Sequence, residues 1–154
     1  MAKSKGSFIG GSTDSTKKNI VQLNDKYKES IQGEEPRLVL PFYDNDGQLS
    51  GVTCRALRGE ALRYITIKVK DGVPLLFGID SVNKSKPIYV VEGPIDSLFL
   101  DNAIAMAGAD ADGGITIQHQ QCTMIFDNEP RNEHIVSRMI KAVDKNFNVC
   151  IWPE

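Results

Sequence analysis

Apolar and polar positions follow two rhythms along this chain. From Arg37 onward, LVLPFYDNDGQLSGVTCRAL reads as two strands joined by a turn, because Asp44-Asn45-Asp46-Gly47 supplies residues that tolerate tight backbone geometry. A further strand, RYITIKVK, alternates apolar with basic residues, which places Arg63, Lys68 and Lys70 on a face opposite or flanking the buried one. Asp71-Gly72 makes the next turn, and PLLFGIDSVNKSK leads through a polar loop toward Pro87. The first half is therefore expected to be mostly antiparallel sheet, with a boundary near residues 80 to 87.

The second half has short continuous apolar runs instead: IYVVE, a helical DSLFLDN, AIAMAG, a loop, CTMIFD, a helical NEHIVSRMIKAVDKN, and FNVCIW. Runs of that kind separated by helices indicate a parallel sheet covered on both faces. The expected class is α/β: a parallel-sheet core with flanking helices over residues 87–154, preceded by a small, basic, mostly antiparallel subdomain over 17–86. Residues 1–16 read as a flexible leader, and Asn19 to Gln32 has the weak apolar spacing of a short surface helix.

In open parallel sheets, chemistry gathers beyond the carboxyl ends of the strands. That rule selects Glu92, at the end of IYVVE, and Asp127, at the end of CTMIFD. Gly93-Pro94 turns the chain into a segment whose early residues include Asp96, and Glu129 follows Asp127 at the second position. Singly, Asp96 reads first as a carboxylate favoured at a helix start, Glu129 commonly so, and Asp127 as a strand-end cap. Together they bring negative charge to adjacent strand ends, which costs energy unless a cation neutralises it, and their hard oxygens suit magnesium or manganese.

Composition narrows the classes further. With 41% hydrophobic and 25% charged residues in 154, the chain is an ordinary globular domain with no apolar run of membrane-spanning length and no secretory leader, so no membrane role and a cytoplasmic location are expected. A net charge of -2 argues against holding DNA by overall charge. Basic residues nevertheless concentrate in the first half (Lys17, Lys18, Arg55, Arg58, Arg63, Lys68, Lys70), which fits either a phosphate-facing lobe or a solvated surface. Cys54, Cys122 and Cys150 lie apart inside apolar runs and read as buried free thiols. His119 and His134 read as surface residues, GADADGG as a loop, and Trp152 as an edge or interface aromatic.

Two of these motifs resemble a known family. EGPID matches the Glu-Gly-x-x-Asp element of the Toprim domain of primases and topoisomerases, and FDNEPRN stands where that family carries Asp-x-Asp, with Glu129 replacing the second aspartate. LVLPFYDNDGQLSGVTCRAL, RYITIK and PLLFGID look like the antiparallel subdomain that precedes Toprim in DnaG-type primases, and DNEPRN looks like the primases of large tailed phages. The resemblance spans about Arg37 to Glu154.

It implies that Glu92 lies near the reacting phosphate as acid–base group or metal ligand, that Asp127 and Glu129 hold magnesium or manganese, and that Asp96 completes the acidic pocket. It also implies that Arg55, with Arg63 and Lys68 as weaker candidates, faces nucleotide or template phosphates, where arginine binds through paired hydrogen bonds. The expected activity is that of a primase catalytic core, a nucleotidyltransferase making RNA primers from ribonucleoside triphosphates on single-stranded DNA. No zinc-binding module precedes the core and the chain stops at IWPE, so it is expected to be an excised or truncated core. Contacts to a replicative helicase would belong to regions outside it. The rival readings are a Toprim nuclease hydrolysing phosphodiesters and a noncatalytic nucleic-acid-binding module, the latter prompted by Glu129.

Overall fold

A computed structural model of the chain describes residues 8–10, 36–58, 62–107 and 115–153. The helix expected over Asn19–Gln32, the GADADGG segment and Lys17 and Lys18 lie outside them. Two sheets emerge. The first is antiparallel, in the order β1 (Phe8–Gly10), β2 (Arg37–Tyr43), β3 (Leu49–Ala56) and β4 (Tyr64–Lys68). Residues 1–16, expected as a flexible leader, thus contribute a strand: Phe8-Ile9-Gly10 pairs with the edge of β2, Phe8 opposite Val39.

The β2–β3 hairpin forms as the pattern predicts. The Asp44 carboxylate accepts the backbone N–H groups of Asp46 (3.1 Å) and Gln48 (2.9 Å), and Gly47 adopts the positive φ of 75° that the turn requires. The Lys70 ammonium closes the same turn from beyond β4, 2.8 Å from Asp44. This contact, with the two N–H donors, holds the Asp44 carboxyl below the usual aspartate range. Since the folded pKa is depressed, the stabilisation is present above the unfolded value of ~3.9 and is lost as pH falls through the lower folded value. Lys70→Met is expected to move the Asp44 midpoint upward in an NMR pH titration.

The second sheet runs β5 (Leu76–Phe77), β7 (Ala103–Met106), β6 (Ile88–Val91), β8 (Cys122–Ile125) and β9 (Asn148–Val149). Strands β6, β7, β8 and β9 pair in parallel, as predicted, whereas β5 pairs antiparallel with β7 at the edge. The segment PLLFGID, which the sequence pattern attaches to the antiparallel half, therefore belongs to the second sheet through Leu76 and Phe77. Its two strand residues are too few to show a pairing preference.

Alternation along the central strands assigns the two faces. Ile88, Val90, Ile104, Met106, Cys122 and Met124 point toward Ile135 and Ala142 of helix α1 (Glu133–Asp144). Val91 and Ala105 point the other way, onto Leu40 and Phe42 of β2 and Phe77. Both faces are covered, as expected: among the described residues, α1 lies on one face and the antiparallel sheet packs on the other. DSLFLDN shortens to a single 3-10 turn, Asp96–Phe99, because Leu100 is already extended and Asn102, at φ 53°, turns the chain into β7. The Asn102 amide fixes that turn by donating to the carbonyls of Asn83 (3.1 Å) and Pro87 (2.7 Å).

One glycine records how closely the sheets approach. A methyl placed on Gly51 would stand 2.7 Å from the Ile67 carbonyl oxygen and 2.7 Å from a methyl of Leu75, which belongs to the core shared by the sheets. Gly51→Ala is expected to destabilise the fold by ~1–3 kcal/mol through overpacking, measured as a lower urea midpoint.

Candidate nucleic-acid site

Strands β6 and β8 are parallel neighbours in register, Val91 opposite Ile125, so the residues just past their carboxyl ends leave the sheet side by side. Glu92 follows Val91 directly and Asp127 comes two residues after Ile125, and the Asp127 N–H donates to Glu92 Oε2 at 3.4 Å. Asp96 folds back over Gly93, so that a methyl placed on Gly93 would meet the Asp96 carboxylate and oblige that side chain to move. Ser97, fully buried, locks the turn by donating its hydroxyl to the Pro94 carbonyl at 2.8 Å.

The opposite wall comes from the antiparallel sheet. Cross-strand pairing sets Arg55 against Tyr64 and Thr53 against Thr66. The Arg55 guanidinium lies 4.9 Å from the centre of the Tyr64 ring and donates to the Tyr64 hydroxyl, while the two threonine hydroxyls share a hydrogen bond of 2.9 Å. Between the walls runs an open cleft of about 740 Å³, lined by Arg55, Arg63, Tyr64, Glu92, Asp96 and Asp127 among others. Its volume falls in the range of small-ligand sites.

The structure thus brings together Glu92, Asp96, Asp127, Arg55 and Arg63. It does not bring in Lys68, which pairs with Gly51 farther along the strands and stands exposed outside the cleft lining. Glu129 also lies outside that lining. Its carboxylate accepts from the Asn132 amide at 2.6 Å, and the Asn132 side-chain oxygen in turn caps α1 by accepting the His134 N–H at 3.0 Å. Glu129 is therefore held in the structure that starts the helix.

Sequence reasoning missed Arg138. From α1 it forms an ion pair with Glu92, and its guanidinium stands 5.2 Å from the Phe126 ring centre, next to Asp127. A signal existed: Arg138 is three residues after buried Ile135 and four before buried Ala142, a charge on the inner stripe of an amphipathic helix. Trp152 is tied to the same place, its indole N–H donating to the Phe126 carbonyl at 2.8 Å.

The donor set suits a divalent cation in kind: three carboxylates line one cleft, all of them hard oxygen ligands, and one already draws a cation to itself. Among the described residues, however, no three acidic, histidine or cysteine side chains are gathered closely enough to hold a metal as they stand. Glu92 pairs instead with Arg138, and Glu129 with Asn132.

Cys54, Cys122 and His119 are held in structural places. Cys54 and Cys122 are buried, and burial pushes both thiols up, away from the reactive thiolate. His119 stacks on Phe147 with 4.0 Å between ring centres, and its Nδ1 lies 2.7 Å from the Lys145 carbonyl oxygen.

Comparison with solved structures defines the class. The chain superposes on the E. coli primase catalytic core with a TM-score of 0.62 and 17% identity, over 95% of this chain and 59% of that one. It matches the RNA polymerase domain of Mycobacterium tuberculosis primase DnaG, solved in complex with double-stranded DNA, with a TM-score of 0.62 and 17% identity over 97% and 60% of the two chains. The fold is that of the DnaG-type primase catalytic core.

At the level of a particular protein, the chain is homologous to the DNA primase of Enterobacteria phage T4, with 39% identity over 127 residues. The match takes in 82% of this chain, which spans 36% of the length of that relative. No family profile matches. The resemblance to primases of large tailed phages, first carried by DNEPRN, therefore holds across most of the chain.

Proposed function

We propose that this chain is part of the catalytic core of a DNA primase, which makes RNA primers on single-stranded DNA by metal-dependent nucleotidyl transfer. The observation that carries this reading is the facing of Arg55 and Arg63 against Glu92, Asp96 and Asp127 across one cleft. Phosphate recognition on one wall and acidic groups on the other are what joining a nucleoside triphosphate to a 3′-hydroxyl requires.

Arg55 and Arg63 bind triphosphate or template phosphates, with Tyr64 keeping the Arg55 guanidinium in place. Lys68, outside the cleft, meets nucleic acid beyond it. Glu92 and Asp127 would hold magnesium or manganese, with Glu129 joining them on leaving Asn132 and Asp96 orienting the pocket. When bound, the metal supplies charge stabilisation to the oxygens of the transferring phosphoryl group. Glu92 alternatively accepts the proton of the attacking hydroxyl.

The relatives support this reading, since a DNA primase shares 39% identity and one solved neighbour holds DNA. A replicative helicase would engage regions beyond this chain. Among the described residues no helix is long and apolar enough to cross a membrane, and a phage primase would work in the host cytoplasm.

The test supplies the complete parent protein with single-stranded DNA, ribonucleoside triphosphates and magnesium. Short RNA products that vanish on chelation are expected. RNA cleavage without incorporation would overturn the reading in favour of a nuclease, and chelator-resistant DNA binding with no reaction would overturn it in favour of a noncatalytic module.

A further inference from the structure

Arg138 occupies an unusual place: it connects helix α1 to a carboxylate at the end of strand β6, and its stem brings the guanidinium against Phe126 at the end of β8. Its partner Glu92 is the central carboxylate of the cleft, touching Asp127 through one oxygen and Arg138 through the other. We infer that Arg138 is the resident counterion of Glu92, and that a divalent cation enters this site by exchange, displacing the guanidinium from the carboxylate.

The inference rests on the metal reading given above. Three observations support it. First, Arg138 pairs directly with the negative charge that Glu92 contributes beside Asp127 and Asp96, from the side of the cleft away from Arg55 and Arg63. Second, the pair is only partly covered, with side-chain exposures of 25% for Arg138 and 21% for Glu92. A pair that keeps this much contact with water exchanges more readily than a fully buried one, whose breaking would strand a charge. Third, the guanidinium has somewhere to stay once released, since the Phe126 ring face lies 5.2 Å away. The exchange also accounts for the separation of the acidic groups, because Glu92 is pulled toward the helix while Arg138 holds it.

Arg138 on this account is a positioning residue, and its removal has a sign that a purely structural role would not give. A residue that merely braced Glu92 would, when lost, weaken metal binding. A competitor, when lost, strengthens it. The test is a titration of the full chain with manganese alone, following free Mn²⁺ by electron paramagnetic resonance, for wild type, Arg138→Gln and Arg138→Lys.

Arg138→Gln is expected to bind on the order of fivefold more tightly, the scale of a partly exposed charge pair, and Arg138→Lys to stay within about twofold of wild type. Equal or weaker binding by a folded Arg138→Gln would overturn the inference while leaving the metal reading intact. Binding by none of the three would overturn both.

A second measurement does not depend on a variant keeping its fold. In wild type, the Arg138 Nε–Hε resonance is expected to shift saturably as magnesium is added, with the midpoint of metal binding. Binding without any such shift would overturn the exchange.

Discussion

Asp127→Asn in the complete parent protein is expected to lower primer synthesis by about 10²–10³-fold, the range seen when one preorganised charge interaction at a reacting centre is removed. The substitution preserves size and leaves the backbone N–H contact to Glu92 possible. It removes one negative charge from a cleft that also holds Glu92 and Asp96. Among the described residues no side-chain partner engages the Asp127 carboxylate, and the residue is exposed, so its loss breaks no packing. The melting temperature should therefore hold or rise slightly, as relief of like-charge repulsion requires. Incorporation of labelled ribonucleotide on single-stranded DNA, read beside a thermal melt, separates the two effects. Activity within a few fold of wild type would remove Asp127 from the site, and an equal loss of activity and stability would make it a structural residue instead.

The same physics explains which parts of this molecule were legible from residues alone. Glu92 and Asp127 were found because strand ends are marked twice, by the close of an apolar run and by the charge that follows it. Their meeting then follows from parallel register, which sets Val91 against Ile125. Arg63 was legible as part of a polar face and Arg55 through the resemblance to the primase hairpin, but their distance from the acidic residues depended on how the sheets pack, which alternation within a strand does not encode.

Glu129 and Arg138 were harder. The residue types at 129 and 132 serve metal binding and helix capping equally well, and the Asn132 amide holds the Glu129 carboxylate at the start of the helix. Arg138 carried its signal only relative to Ile135 and Ala142, whose burial depends on the sheet beneath them. The element that covers the other face was illegible for a similar reason. Apolar runs on both faces of β6 and β8 say that both faces are covered, but not whether a helix or another sheet covers them.

That second covering carries the largest stability prediction. Phe42→Ala is expected to destabilise the protein by ~3–5 kcal/mol. The side chain is 0% exposed and stands at the join between the sheets, edge-on to Phe77 with 5.9 Å between ring centres and 80° between their planes. Leu40, Leu75, Val91 and Ala105 complete the cluster, so the cavity left by truncation would be walled by both sheets and could collapse only by moving one against the other. A loss of that size is a large part of the ~5–15 kcal/mol that holds an ordinary domain together. Because the arginine wall of the cleft stands on one sheet and the acidic wall on the other, function should fall with stability, unlike in Asp127→Asn. Urea unfolding measures the cost. One shifted transition with an unchanged slope would mean that the sheets unfold together across this core, whereas a cost under about 1 kcal/mol, or a split transition, would mean that each sheet holds its own fold and that the cleft lies between independently stable halves.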